Sequence, residues 1–286
     1  MFKKFFNLKI IAALALIGIT GSITSVFLFN AAEGNNTSTD SIPKAAIIDQ
    51  LYDDSPNQSF HQRASELLEK AGYKVDIFTT KDITVDFYKN LPSHNYKFVI
   101  VRSHGVADKN DQNSVTLFTG ERYTTDKYIS EQLLGQVKKG APLGLEIFQF
   151  NETDSQWTVV NDTYRTITVP ATSIVTSEDE YFLITPTFID SNVKGKFSNT
   201  IFLLGGCSTM KTDSMAKSLI NRGASSVIGW DNKVGAADND TVMLRLLDNI
   251  FSQEMELEDA VDSSMKEAHL QKMPYPARLI VTSGRA

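Results

Sequence analysis

The sequence predicts an α/β protein: a doubly wound, mostly parallel sheet carrying a β-rich insertion and preceded by one N-terminal transmembrane helix. Three observations lead there. From Lys44 onward, short apolar runs alternate with amphipathic stretches in a β-α-β-α-β order, which parallel sheets require because each crossover needs a helix. The strongest runs, such as Phe98-Val99-Ile100-Val101 and Ile201-Phe202-Leu203-Leu204, are apolar at every position, as expected of strands covered on both faces. Ahead of them, residues 10–29 are uncharged and rich in Ile, Leu, Ala and Val, long enough to span a bilayer as a helix.

Each element follows from local pattern. Ala45-Ala46-Ile47-Ile48-Asp49 is a buried strand. Residues 60–70 place Ala64, Leu67 and Leu68 at helical spacing, and Ala71-Gly72 stops them. Residues 73–78 alternate as a strand, 85–91 form a short helix, and 97–103 are the next strand. The middle is less regular. A strand is expected at 114–119, a short helix at 127–137, and β-like runs at 157–160, 166–169 and 181–185, so 142–190 is read as a β-rich insertion. The alternation then resumes. A strand at 201–204 leads to a helix at 212–221 with Met215, Leu219 and Ile220 on one face and Arg222-Gly223 at its end. Ala224 to Trp230 is another strand, helices follow at 241–251 and 257–269, and residues 278–282 are the last strand. Internal repeats are absent.

The domain plan is thus an anchor or signal segment over 1–30, a polar linker over 31–43, and one α/β domain over 44–286. Lys3, Lys4 and Lys9 before the apolar stretch orient the N-terminus to the cytoplasm. A cleaved signal peptide is the competing reading, but the stretch is long for one and no small-x-small site follows it. Either reading places the body outside the cytoplasm. Setting aside those lysines takes the 28 basic residues to 25 against 34 acidic ones, a net charge of −9 for the rest. Such a body lacks the clustered cations that nucleic acid needs, so no nucleic-acid partner is expected. Sequons at Asn35, Asn36, Asn57, Asn151, Asn161 and Asn239 fit an exported protein.

The chemistry is in two strand ends. The only cysteine, Cys207, ends the run 201–204 in Gly205-Gly206-Cys207-Ser208-Thr209, and His104 ends 97–101 in Arg102-Ser103-His104-Gly105. Strand tips in open α/β sheets converge on the ligand crevice, and an imidazole beside a thiol can hold it as thiolate near neutral pH. A helix N-terminus expected just after Cys207 would add a partial positive charge, and the N–H groups of Gly105 and Cys207 could meet an oxyanion. The bland alternatives are an inert buried thiol and a satisfied strand-end histidine. His61, His94 and His269 fall in polar settings and are expected to face solvent. Asp238-Asn239-Asp240 reads as a helix N-cap rather than a calcium loop. No dinucleotide, phosphate-loop or zinc pattern is present in the sequence, so no cofactor and no metal ligand are assigned.

A strand ending in Ser103-His104-Gly105, followed by one ending in Gly205-Gly206-Cys207, resembles the caspase-like superfamily of cysteine peptidases, which includes caspases, legumains, clostripain, gingipains, separases and CHAT domains. The tract Met215 to Trp230 looks like the helix and strand that follow the cysteine in clostripain-like and CHAT proteins. The resemblance implies that the two motifs cap neighbouring strands, with Cys207 as nucleophile, His104 as general base, and Gly105 and Cys207 as oxyanion donors. It also implies that the end of the strand after the cysteine helix lines the pocket for the substrate residue before the cut. Trp230 and Asp231 stand there, and an aromatic wall with a carboxylate would suit Arg or Lys. The segment between the motifs is longer than in a minimal caspase core.

The expected function is a membrane-anchored, extracytoplasmic cysteine endopeptidase whose partners are a peptide or protein substrate and, through the N-terminal helix, the membrane. One alternative is a catalytically inactive binding or sensor module on the same fold. Another is a different Cys-dependent α/β enzyme such as an amidotransferase, which Thr209 in place of a second glycine disfavours. If residues 10–29 are an uncleaved anchor, the full chain will sediment with membranes and resist alkaline carbonate. A form starting near Ala31 in the medium would show cleavage instead.

Overall fold

In this computed structural model, residues 42–107, 111, 114–142, 146–151, 156–161, 179–267 and 276–284 are described. The strands and helices, in chain order, are β1 (Lys44–Asp49), α1 (Gln58–Lys70), β2 (Lys74–Thr79), α2 (Val85–Asn90), β3 (Tyr96–Arg102), β4 (Gly105–Ala107), β5 (Val115–Arg122), α3 (Ile129–Leu133), β6 (Val137–Gly140), β7 (Glu146–Asn151), β8 (Gln156–Asn161), β9 (Tyr181–Ile184), α4 (Pro186–Asn192), β10 (Thr200–Gly205), α5 (Ser214–Asn221), β11 (Ala224–Trp230), α6 (Ala236–Phe251), α7 (Leu257–Glu267) and β12 (Leu279–Ser283). Residues 41–286 form one compact unit. The apolar run 10–29 lies outside the described residues. Among the described residues, no helix is long and apolar enough to cross a membrane.

The all-apolar runs line up as a six-stranded sheet in the order β12-β11-β10-β3-β1-β2, parallel throughout except for β12, which pairs antiparallel with β11. Alternate residues of each strand enter opposite layers, as the two-residue strand period dictates. Ala46, Ile48, Val99, Val101, Phe202 and Leu204 face one core. Ala45, Ile47, Phe98, Ile100, Leu203 and Ile228 face the other, where α1, α6 and α7 bring Leu68, Val242, Leu246 and Val261. The chain steps from β1 outward to β2, then returns past β1 to β3 and continues through β10 and β11. That reversal, between β1 and β3, is where an open α/β sheet forms a crevice at its carboxyl edge.

Three helix starts are fixed by side chains that satisfy otherwise unpartnered N–H groups. Asn57 Oδ1 accepts from Phe60 N at 3.0 Å for α1, and Thr84 Oγ1 from Phe87 N at 3.0 Å for α2. Thr185 Oγ1 does the same for Phe188 N at 3.3 Å, with Pro186 at the first turn of α4. The sequence pattern read 181–185 as a strand and missed this helix, although Thr-Pro is a helix-start signal.

The β-rich region differs from the expected 142–190. A second, antiparallel sheet of order β4-β5-β9-β6 begins at Gly105, immediately after His104. Its Val115, Leu117, Val137, Phe182 and Ile184 join the first core, so it is built into the domain rather than appended. The helix expected at 127–137 is only α3, because Gly135 turns the chain at φ +67° and Val137 starts β6 against β9. β7 and β8 pair as an antiparallel ribbon. The β-like run expected at 166–169 lies outside the described residues.

Below the crevice is a buried ionic knot. Arg102, the last residue of β3, is fully buried; its Nε and one terminal nitrogen grip Asp240 of α6 at 2.7 and 2.9 Å, and the other donates to Asp49 of β1 at 2.9 Å. The nitrogen on Asp240 also donates to the carbonyl of Ser55 at 2.8 Å. Asp49 further bonds His61 Nε2 at 2.6 Å, and Asn57 Nδ2 donates to Asp240 at 2.8 Å. His61 is thus buried on α1, stacked on Tyr52, rather than solvent-facing as the sequence suggested. Burial works against the guanidinium's charge, but Asp240 and Asp49 outweigh it and hold Arg102 protonated above its ordinary range. Asp238, Asn239 and Asp240 lie inside α6, which starts at Ala236, not in a cap before residue 241. Asn239, a sequon residue, is buried. Removing one partner of a buried ion pair leaves the others uncompensated. Arg102→Leu is therefore expected to cost about 3–5 kcal/mol in urea unfolding. Arg102→Lys should recover only part, because a point charge cannot fork to both carboxylates.

Candidate functional site at the strand tips

β3 and β10 are paired neighbours, with Gly205 opposite Arg102, so their C-terminal tips lie side by side. The ladder continues past the strands: Ser103 N donates to Gly205 O at 3.1 Å. The two motifs then cross at backbone contact. A Cβ on Gly206 would collide with the Ser103 carbonyl and lie 3.3 Å from Gly105 N, and one on Gly105 would collide with the Cys207 carbonyl and lie 2.9 Å from Thr209 Cγ2. Only glycine permits this approach. The structure therefore brings the His-Gly and Gly-Cys motifs together.

His104 is held at three points. Its N–H donates to Gln50 Oε1 at 2.9 Å, its carbonyl accepts from Phe118 N at 3.2 Å, and its ring meets the Phe118 ring edge-on with centroids 5.6 Å apart. The Phe118–His104 bond sets the parity of the β4–β5 pairing, in which Gly105 faces Leu117. In an antiparallel pair the position next to a hydrogen-bonded one points its N–H outward. By that alternation Gly105 is the outward position, and its nitrogen lies 3.3 Å from where a Cβ on Gly206 would stand. The side chain of His104 is mostly covered, and its Nε2 is 3.6 Å from Asp54 Oδ2.

Cys207 occupies a tight turn pinned to the end of β11. Ser208 takes the left-handed conformation at φ +57°, its N–H donates to Asn232 O at 2.9 Å, and Met210 N donates to Trp230 O at 2.7 Å. Thr209 Oγ1 bonds Leu204 O and Gly206 O at 3.0 and 3.1 Å and accepts from Trp230 N. The half-buried Cys207 thiol donates to Val234 O at 3.3 Å and its sulfur accepts from Val234 N at 3.4 Å. The helix expected at 212–221 is present as α5, starting two residues later. A turn covers 207–213 and α5 begins only at Ser214, so the thiol lies beyond the first-turn reach of that helix's dipole.

The predicted specificity residues are placed otherwise than the resemblance implied. Trp230 is 0% exposed, on the same strand face as Ile228 in the second core, and its indole N–H donates to Asn239 Oδ1 at 2.8 Å. It presents no wall to the crevice. Asp231 Oδ1 accepts from Arg278 N at 2.7 Å, and Asp231 N donates to Arg278 O at 3.0 Å, so it ties β11 to the start of β12. His94 is half-buried and stacked on Tyr96 with centroids 5.6 Å apart; His269 lies outside the described residues. Among the described residues, no group of three or more His, Cys, Asp or Glu is arranged to hold a metal ion.

Sequence reasoning missed Gln50, Asp54 and Val234. Gln50 follows the tip of β1, and its Nε2 is buried with no hydrogen-bond partner among the described residues. The strand-tip rule that singled out His104 and Cys207 would have found it. Asp54 and Val234 are in connecting segments, where no pattern marks them.

No family model matches the chain, and no curated protein matches it.

The crossing gives a direct test. Gly105→Ala and Gly206→Ala should each destabilise the body by about 1–3 kcal/mol, because the obstructing atoms are backbone. Gly235→Ala, at φ −68° with only the movable Asp238 carboxylate 3.2 Å from its Cβ, should be nearly neutral by the same urea titration.

Proposed function

We propose that this chain is a cysteine endopeptidase of the caspase-like kind, anchored by its N-terminal apolar segment and acting outside the cytoplasm. The observation that carries the reading is the crossing of the His104-Gly105 and Gly206-Cys207 backbones at adjacent parallel strand tips. In this reading the Cys207 thiol gives its proton to His104 and the sulfur attacks the scissile carbonyl. The oxyanion that forms faces the N–H groups of Gly105 and Cys207. The amine then leaves with the proton held by His104, and water releases the acyl group by the same route.

The net charge of −9 outside the N-terminal segment favours cationic over acidic substrates by long-range attraction. A preference for Arg or Lys before the cut would rest on that field, since Trp230 is sealed in the core.

One observation favours the silent-module reading: the Cys207 thiol is engaged by the backbone of Val234. Cleavage decides between them. A peptide library incubated with the full chain should be cut, with Arg and Lys substrates cut best, and Cys207→Ala and His104→Ala should each abolish cutting without lowering the melting temperature. Cleavage that survives Cys207→Ala would overturn the proposal.

A further inference from the structure

We propose that Asp54 is the carboxylate that positions His104 and makes the dyad a triad; this deepens the cysteine-peptidase reading and rests on it. The loop between β1 and α1 brings Asp54 Oδ2 to 3.6 Å from His104 Nε2. That is beyond a direct hydrogen bond but within ion-pair reach, and catalytic contacts are commonly long before substrate binds. The placement is enforced from below. Gln50 and Leu51 at the start of the loop are buried. Ser55, directly after Asp54, is tied through its carbonyl to the Arg102 guanidinium at 2.8 Å and through its N–H to Leu51 O at 2.7 Å. Asn57, two residues further, is tied to Asp240. The segment carrying Asp54 is therefore clamped at both ends by the buried ionic knot, while its carboxylate stays 40% exposed at the crevice.

The chemistry follows from which ring nitrogen is engaged. With Nε2–H turned to Asp54, the lone pair of Nδ1 is the one left to serve the thiol. The S–H bond breaks, the proton moves to Nδ1, and the sulfur keeps the electron pair with which it bonds the carbonyl carbon. When the C–N bond breaks, the proton on Nδ1 passes to the departing amine. Asp54 neither gains nor loses a proton; it holds the ring and faces the positive charge that appears on it. The groups around it do not compete for that role. Asp53, its neighbour, is exposed as Asp54 is, and the carboxylate recorded within ion-pair reach of the imidazole is that of Asp54. Tyr181 of β9 is held above its ordinary pKa, chiefly by burial and then by the charges of Asp54, Asp179 and Asp53, so its phenol stays neutral. Asp179 is itself forked to Arg122 at 2.6 and 2.8 Å.

The chain has a single cysteine, so alkylation of the full chain by iodoacetamide reads one site. At pH 6 thiolate depends on the imidazolium partner, whereas at pH 9 an ordinary thiol ionises unaided. Asp54→Asn should slow alkylation at pH 6 about fivefold, a modest effect because the carboxylate is partly screened by solvent. At pH 9 it should match the unaltered chain within about twofold. Asp54→Glu should restore most of the pH 6 rate, Asp53→Asn should change neither rate, and melting temperatures should stay level. If His104→Ala slows the pH 6 reaction and Asp54→Asn does not, Asp54 has no positioning role and the dyad stands. Equal slowing by Asp53→Asn would mean diffuse surface charge and would also overturn the proposal. If His104→Ala leaves the pH 6 rate unchanged, the cysteine–histidine reading itself fails.

Discussion

The buried guanidinium of Arg102 is the constraint on which the upper edge of this molecule depends. Three elements and one loop meet on it: β1 through Asp49, β3 through its own backbone, α6 through Asp240, and the loop after β1 through the Ser55 carbonyl. A charge taken out of water must find its partners inside the protein. Here they come from segments 53 and 138 residues away in sequence. His61 and Asn57 extend the same knot to the start of α1. Because the partners are fixed in direction by the planar fork of the side chain, the strand tips cannot slide relative to one another without breaking it.

Directly above that knot the backbone itself becomes the positioning device. Ser103 and Gly205 continue the β3–β10 ladder by one bond, and the glycines at 105 and 206 then let the two chains cross closer than any side chain would allow. The histidine is fixed by main-chain bonds to Gln50 and Phe118, and the cysteine turn by Thr209, Asn232 and Trp230. A site held by backbone on rigid strands is better preorganised than one on mobile loops. It also accounts for where the second sheet begins: β4 leaves the crevice from Gly105 and pairs with β5.

How far the sequence could be read varied by residue type. The parallel strands were legible because a short, continuous apolar run bounded by turn residues fits a strand covered on both faces. Accordingly β1, β3, β10 and β11 fall within a residue or two of expectation. The two strand ends that carry His104 and Cys207 were legible for the same reason, since each motif ends such a run. What failed were positions where a polar or short segment is recruited by distant partners. His61 looked like a surface residue at a helix start, yet Asp49 draws it inside. Asp240 looked like a cap, yet it neutralises Arg102. Trp230 looked like a pocket wall, yet strand parity turns it into the core beside Ile228. The extent of the second sheet was misjudged because short antiparallel strands such as β4 and β6 are defined by their partners.

By itself the sequence determined the α/β class, the alternation of strands and helices, and the identity of the thiol and imidazole at strand ends. Each is a local property, set by hydrophobic period and by which residues interrupt it. Only the tertiary structure decided which strands are neighbours, where Asp54 and Gln50 stand around His104, and that the thiol meets the backbone of Val234. Those follow from pairings between residues far apart in the chain, above all the carboxylates that Arg102 must find once it is buried. Local pattern carries no record of them.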